Sequence, residues 1–189
     1  MDTQINSKVL IVIPAIPTDD RVWDVADLYE SRSEFPCKVK VVFDTLKKDW
    51  VAIQNEEFRK SSDFSYYVYG CSDFYPGKGW LKKGFEYIEQ GYKLVAFNDG
   101  RFFGEIATSG LVERKWAEQN YGGDLFHKGY KHHFADKELS VIAHKQNIMG
   151  YNPNAVLFEV DLEREKTGKK RLISEDFRKY KTRKRESLF

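Results

Sequence analysis

The stretch KLVAFNDGRF, residues 93–102, ends an apolar run in Asn98, Asp99 and Gly100 and continues with Arg101. A carboxylate that is held by a strand and followed by a small residue can approach a divalent cation without crowding it. Mg²⁺ and Mn²⁺ prefer such oxygen ligands, and substrate phosphates often complete their coordination. The pattern therefore predicts that Asp99 takes part in a ligand site, although an ordinary polar turn has the same composition.

A second candidate carboxylate is Asp136, in the run Asp136-Lys137-Glu138. Helical spacing over residues 135–146 places it in the first turn of a helix, where unpaired backbone amides favour an anion. A carboxylate in such a place can accept a proton as a general base. Aspartate is also a common N-cap residue, so a purely structural role remains open.

Other candidate motifs carry weaker signals. The loop at residues 76–79, which contains Lys78 between two glycines, has the flexibility to approach a phosphate, but a structural turn is the favoured interpretation. The chain has no Walker-type loop and no GxGxxG after its first strand. The spacing of the four histidines matches no compact zinc pattern.

The elements that would position these residues alternate between strand and helix. This pattern predicts a single α/β domain, with a mainly parallel central sheet and helices on both faces. The carboxyl ends of parallel strands meet at one edge, where ligands bind, and Pro14, Asp44 and Asp99 would lie there. Strands are expected at residues 8–13, 38–43, 64–69, 92–97 and 155–160, and helices at 19–31, around 50–58, 76–90, 106–120 and 135–146, with a turn at 150–153.

Length and composition limit the class of protein. A chain of 189 residues with 41% hydrophobic residues can form one folded domain with a substantial core. No apolar run reaches the roughly 20 residues of a membrane helix, and the first residues lack a secretory pattern. Cys37 and Cys71 have no metal-type spacing, which favours free thiols in a reducing cytoplasm.

Charge is distributed unevenly along the chain. From Glu163 onward there are 11 Lys/Arg and 5 Asp/Glu, which is +6, so residues 1–162 carry −4 of the total +2. We therefore expect a mildly acidic body at residues 1–161 and a basic, helical tail at 162–189. Such a tail can meet phosphates or nucleic acid, or it can be a solvated helix.

The order of motifs resembles that of small GT-A type glycosyltransferases of the family-2-like kind found in bacteria and phages. The resemblance covers roughly residues 8–161. It is carried by the segments VLIVIPAIP (9–17, with the family's proline at the end of the first strand), VVFD (41–44), LVAFNDG (94–100), HKGYKHHFADKEL (127–139) and YNPNAVLFEVD (151–161).

The resemblance implies specific roles for these residues. Pro14 and Asp44 would lie at the nucleoside, and Asn98 and Asp99 at the donor diphosphate. Asp136 would deprotonate the acceptor hydroxyl, so that the anomeric centre is inverted. We add Lys78 and Arg101 as cations that offset phosphate charge.

The implied ligands are a nucleotide-sugar donor, UDP-linked, and Mn²⁺ or Mg²⁺ held by Asp99. The chain departs from the family at two metal positions, because Gly100 replaces a second acidic residue and Val160 replaces a histidine. Glu159 and Asp161 are the substitute ligands that we consider, and the alternative is an enzyme that depends little on metal. The acceptor would be a saccharide or a hydroxylated base in DNA, met by the aromatic loop at residues 121–134 and the tail.

Three alternatives stay open. A nucleotidyltransferase would use the same edge of the sheet. A signature rich in glycine and in lysine or arginine would then be expected after the first strand, but IPAIPTDDRVW, residues 13–23, has no glycine and only Arg21. A non-catalytic nucleic-acid-binding protein would depend on the tail and not on Asp99 or Asp136. A degenerate transferase would bind a nucleotide without turnover.

Overall fold

The computed structural model of the chain describes residues 9–160, 175–186 and 189. The strands are β1 (Val9–Ala15), β2 (Cys37–Phe43), β3 (Tyr66–Tyr69), β4 (Phe74–Pro76), β5 (Leu94–Asn98), β6 (Gly110–Glu113) and β7 (Met149–Glu159). The helices are α1 (Arg21–Ser31), α2 (Trp50–Lys60), α3 (Trp80–Glu89), α4 (Arg114–Ala117), α5 (Ala135–Lys145) and α6 (Glu175–Arg185). The predicted domain boundary at residue 161 and the alternative metal ligand Asp161 lie outside the described residues.

The strands form one sheet in the order β2-β1-β3-β6-β5-β7-β4. β1 pairs in parallel with β2 and β3, and β5 pairs in parallel with β7. β6 is antiparallel to both β3 and β5, and β4 is antiparallel to β7. Five of the seven strands therefore run in one direction, as the mainly parallel prediction requires, and their carboxyl ends share an edge.

Helices cover both faces of the sheet. Successive residues of a strand point to opposite faces, so each strand contributes side chains to two cores. Val9, Ile11 and Ile13 of β1 pack with α1 and α3 in one core. Leu10 and Val12 pack on the other face, in a core to which α2, α4, α5 and α6 contribute. The α/β architecture with helices on both faces is confirmed.

The predicted helix over residues 106–120 is wrong. Residues 110–113 form β6, and only residues 114–117 are helical. Leu111 packs in one core and Val112 in the other. A strand paired between β3 and β5 buries both Leu111 and Val112, one on each face of the sheet. A helix that packs through one face would bury only one of these two residues. Tertiary pairing thus overrides a helical apolar pattern.

Two smaller predictions about local structure also fail. The predicted turn at residues 150–153 lies inside β7, whose pairing with β5 shifts between Ala96 and Asn98. An irregularity there accommodates Pro153, which cannot donate to the ladder. The three-residue strand β4 was not predicted, because FYP is too short to show a period.

The two cysteines are free thiols, as expected, and each is half-buried. Within the described ranges, no helix is both long enough and apolar enough to cross a bilayer.

Candidate functional site

A cavity of about 480 Å³ opens at the carboxyl edge of the sheet. Its walls come from the segments that follow β3 and β5, from the end of β7, from the loop before α5 and from residues of α2, α5 and α6. The charged side chains in the walls are Asp73, Arg101, Asp136, Lys137 and Glu159. A concave site with a few convergent charges in an aromatic lining is typical of small-molecule binding.

Asp136 lies in this cavity, in the first turn of α5. Its Oδ1 accepts the backbone N–H of Lys137 at 2.8 Å. Burial raises the pKa of the Asp136 carboxyl to about 6, and the negative charge of Glu159 raises it further. A carboxylate with this pKa is largely ionised at pH 7 and yet is a stronger base than an exposed aspartate. The geometry therefore suits proton acceptance from a bound hydroxyl.

Arg101 and Glu159 form an ion pair on the wall of the same cavity, with 3.5 Å between Nη1 and Oε2. The guanidinium also lies over the ring of Phe102, 4.7 Å from its centroid. The side chain of Arg101 keeps 40% of its surface exposed. Arg101 therefore presents a positive charge to any anion that enters the cavity.

Asp99 is not among the residues that line the cavity. It is 2% exposed, and its Oδ1 accepts the backbone N–H groups of Arg101 and Phe102, both at 2.8 Å. Its Oδ2 accepts the hydroxyl of Thr108, also at 2.8 Å. Both oxygens are therefore used to hold the loop after β5, which departs from the predicted contact with a metal or a diphosphate.

Gly100 has a structural reason to lack a side chain. Its φ is +77°, and an added Cβ would lie 2.1 Å from a ring carbon of Phe158. The neighbouring Asn98 is also engaged locally, since its amide donates to the carbonyl of Pro153 and its oxygen accepts the N–H of Gly100. A side chain at position 100 would therefore be strained by the positive φ and crowded by the ring of Phe158.

The remaining predicted residues lie elsewhere. Asp44 accepts the backbone N–H of Lys48 at 2.6 Å and lines a separate cleft of about 200 Å³. Pro14 is buried inside β1. Lys78 pairs at 3.8 Å with Glu34, which precedes β2 at the opposite edge of the sheet, so the structure does not bring Lys78 to the cavity.

The aromatic loop divides into two parts. His132, His133 and Phe134 line the cavity. Tyr121 and Tyr130 instead donate to the buried carboxylate of Glu138, at 2.9 and 2.5 Å. The loop thus supplies one cavity wall and one internal anchor.

Trp50 and Phe177 are among the cavity residues that the sequence reasoning missed. Trp50 begins α2, and its buried indole N–H has no hydrogen-bond acceptor among the described residues. Phe177 comes from α6 and packs against Phe134 with the rings tilted, with 5.4 Å between their centroids. No motif marks either position, because only the tertiary fold brings α2 and α6 to this edge.

The donor set does not match a metal centre built on Asp99, since both of its oxygens are already hydrogen-bonded within the protein. In the described part of the chain, no group of three or more His, Cys, Asp or Glu side chains could hold a metal ion. Glu159 reaches the cavity but is paired with Arg101. We therefore derive no chemical step through a metal.

Comparison with known proteins places this geometry in context. No family model matches the chain, and no curated protein matches its sequence. Solved structures do match its fold. The mannosyltransferase PcManGT from Pyrobaculum calidifontis, in complex with GDP-Man and Mn²⁺, superposes with a TM-score of 0.61 at 12% identity, over 80% of this chain and 56% of that one.

Two further structures give the same result. S. aureus TarS matches with a TM-score of 0.62 at 13% identity, over 81% of this chain and 36% of that one. A mutant of Drosophila β1,4-galactosyltransferase 7, with manganese, UDP-Gal and xylobiose, matches at 0.64 and 10%, over 90% and 78%. The chain spans about half the length of the mannosyltransferase and about a third of TarS. These likenesses show a fold of the GT-A type of glycosyltransferase.

Proposed function

We propose that the chain is a glycosyltransferase that transfers a sugar from a nucleoside-diphosphate sugar to an acceptor hydroxyl. The observation that carries the proposal is the position of Asp136, a carboxylate with a raised pKa in the main cavity at the ligand-binding edge of a GT-A type fold. The structural neighbours solved with GDP-Man and UDP-Gal support a nucleotide-sugar donor. We propose UDP as the nucleotide.

In the proposed reaction, the acceptor oxygen attacks the anomeric carbon while the bond from that carbon to the diphosphate oxygen breaks. The hydroxyl proton passes to the carboxylate of Asp136, and the nucleoside diphosphate leaves with the bonding electrons. A single displacement of this kind inverts the anomeric centre. Arg101, at the cavity wall, stabilises the negative charge that develops on the leaving diphosphate.

The aromatic side chains of the cavity would hold the acceptor. Trp50, Phe134 and Phe177 offer flat apolar surfaces. Both proposed acceptors, a saccharide and a hydroxylated DNA base, present a face that stacks on such rings.

Calorimetric titration with UDP, with and without Mn²⁺, tests the proposal. We expect Arg101→Gln to weaken UDP binding by about tenfold or more, since a charge-assisted hydrogen bond is worth about 1.5–3 kcal/mol. Lys78→Gln is the matched control, because it removes an exposed cation at the other edge and should bind UDP as the wild type does.

A screen of UDP-sugars for transfer or hydrolysis then tests the base. Asp136→Asn should keep UDP binding but lose at least about 100-fold in rate, the usual contribution of a positioned general base. Failure of UDP and of the other nucleoside diphosphates to bind would refute the proposed function. Unchanged turnover in Asp136→Asn would refute the assignment of the base.

A further inference from the structure

Helix α6, predicted as part of a basic tail, is fixed to the body of the protein by a buried ion pair. Glu138 of α5 is 0% exposed, and it accepts Nε and Nη2 of Arg183 at 2.8 and 2.7 Å. This two-pronged geometry is the one that orients a guanidinium most strictly. Tyr180 of the same helix is also buried, in the core shared with α5. The ion pair and the buried tyrosine thus fix the orientation of α6 relative to α5.

The same helix builds part of the cavity wall. The carboxylate of Asp176 is 3% exposed and accepts the backbone N–H groups of Lys131, His132 and His133 at 3.0, 2.9 and 2.8 Å. The next residue, Phe177, lines the cavity itself. Residues on the outer face of α6, the face that is exposed to solvent, therefore lie beside the cavity.

That outer face is basic. Arg178, Lys181 and Arg185 follow one another at spacings of three and four residues, so they share one side of the helix, and all three are exposed. We call these three residues the basic stripe. Lys179 and Lys184 flank it and are also exposed. Glu175 is the one acidic residue among the exposed positions of α6.

We propose that the basic stripe docks the phosphodiester backbone of a single DNA strand, one of whose bases enters the cavity. This inference rests on the proposed function and names its acceptor class. A row of cations beside aromatic side chains is the arrangement that binds single strands, because the cations neutralise phosphates and the rings stack on bases. Trp50, Phe134 and Phe177 are the rings at this site.

The composition of the outer face favours DNA over a membrane surface. A helix that lies on a bilayer inserts apolar side chains between the lipids. The exposed positions of α6 carry basic residues, Glu175 and Thr182, and none of them is apolar. Charge is therefore the attraction that this face offers, and a chain of phosphates complements it.

The test is fluorescence anisotropy with a labelled single-stranded DNA of about 20 nucleotides, at salt concentrations from about 50 to 200 mM. The variant Arg178→Gln/Lys181→Gln/Arg185→Gln removes the basic stripe. The control variant Lys38→Gln/Lys82→Gln/Lys115→Gln removes the same charge from exposed positions on β2, α3 and α4. Phosphatidylglycerol vesicles serve as the competing anionic surface.

We expect the wild type and the control to bind the DNA with a clear dependence on salt. The stripe variant should bind at least about tenfold more weakly, and its log–log salt slope should be lower by about 2, from three contacts at about 0.7 each. Equal binding by the stripe variant and the wild type would overturn the proposal, as would binding to vesicles but not to DNA. UDP titration of the stripe variant is a separate readout, so failure of this inference is distinguishable from failure of the transferase.

Discussion

Replacing Asp136 with asparagine should stabilise the folded protein at neutral pH. The ordinary pKa of this carboxyl is 3.8, and in the fold it is about 6. The folded state therefore binds the proton more tightly than the unfolded state does. The resulting stabilisation is fully present below pH 3.8 and is lost as the pH rises through 6. Above that pH, the ionised carboxylate is held at a cost to stability.

The size of that cost follows from the pKa difference. The two pKa values differ by about 2, and at about 1.36 kcal/mol per pKa unit this difference corresponds to about 3 kcal/mol. Because Asp136 is half-buried beside an open cavity, this is an upper limit, and we expect a gain of about 1–3 kcal/mol for Asp136→Asn at pH 7.5. The asparagine oxygen can still accept the N–H of Lys137, so the hydrogen bond is retained.

Urea unfolding followed by tryptophan fluorescence measures the effect. At pH 7.5 the midpoint of Asp136→Asn should lie above that of the wild type, and the difference should shrink to under about 1 kcal/mol at pH 4. Asp24→Asn is the matched control, since Asp24 lies in the first turn of α1 but is exposed, and it should gain no stability. The reasoning would be refuted if Asp136→Asn were less stable than the wild type, or if the difference in stability between them did not change with pH. Either result would show that the ionised carboxylate of Asp136 does not destabilise the fold.

Two further predictions concern stability. Arg183→Met leaves the buried Glu138 carboxylate without its ionic partner, and we expect a loss of about 3–5 kcal/mol in urea unfolding, whereas Arg178→Met, at an exposed position of the same helix, should change little. Gly100→Ala should cost about 1–2 kcal/mol, because L-residues resist the positive φ at this position. If Gly100→Ala causes no loss of stability in a Phe158→Ala background, then the loss in the single variant comes from crowding against the ring and not from the backbone conformation.

The alternation of strands and helices could be predicted because most elements are long enough to show a period. β1 and α5 were located within two residues at each end. β6 could not be predicted, since its pairing with β3 and β5 decides its conformation and the local pattern there is helical. The three residues of β4 depend wholly on their partner β7.

The candidate site could be predicted only in part. Asp136, Arg101 and Glu159 were expected at a ligand site and lie in one cavity. Sequence reasoning placed Lys78 with them because glycines flank it, but the loop that carries it lies at the far edge. A residue type and its neighbours indicate possible chemistry, whereas the direction in which a chain leaves the sheet decides which residues meet.

Asp99 illustrates the difference between the position of a motif and its role. A strand that ends in a buried carboxylate needs donors for both oxygens, and here two backbone amides and Thr108 supply them. The loop fixed in this way carries Arg101, Phe102 and Thr108 into the cavity wall. Asp99 thus shapes the cavity wall through the segment that it holds, whereas Asp136 lines the cavity itself. An acidic residue at the end of a strand indicates the edge of the sheet at which a ligand can bind, and the hydrogen bonds of its oxygens show whether those oxygens are free to contact that ligand.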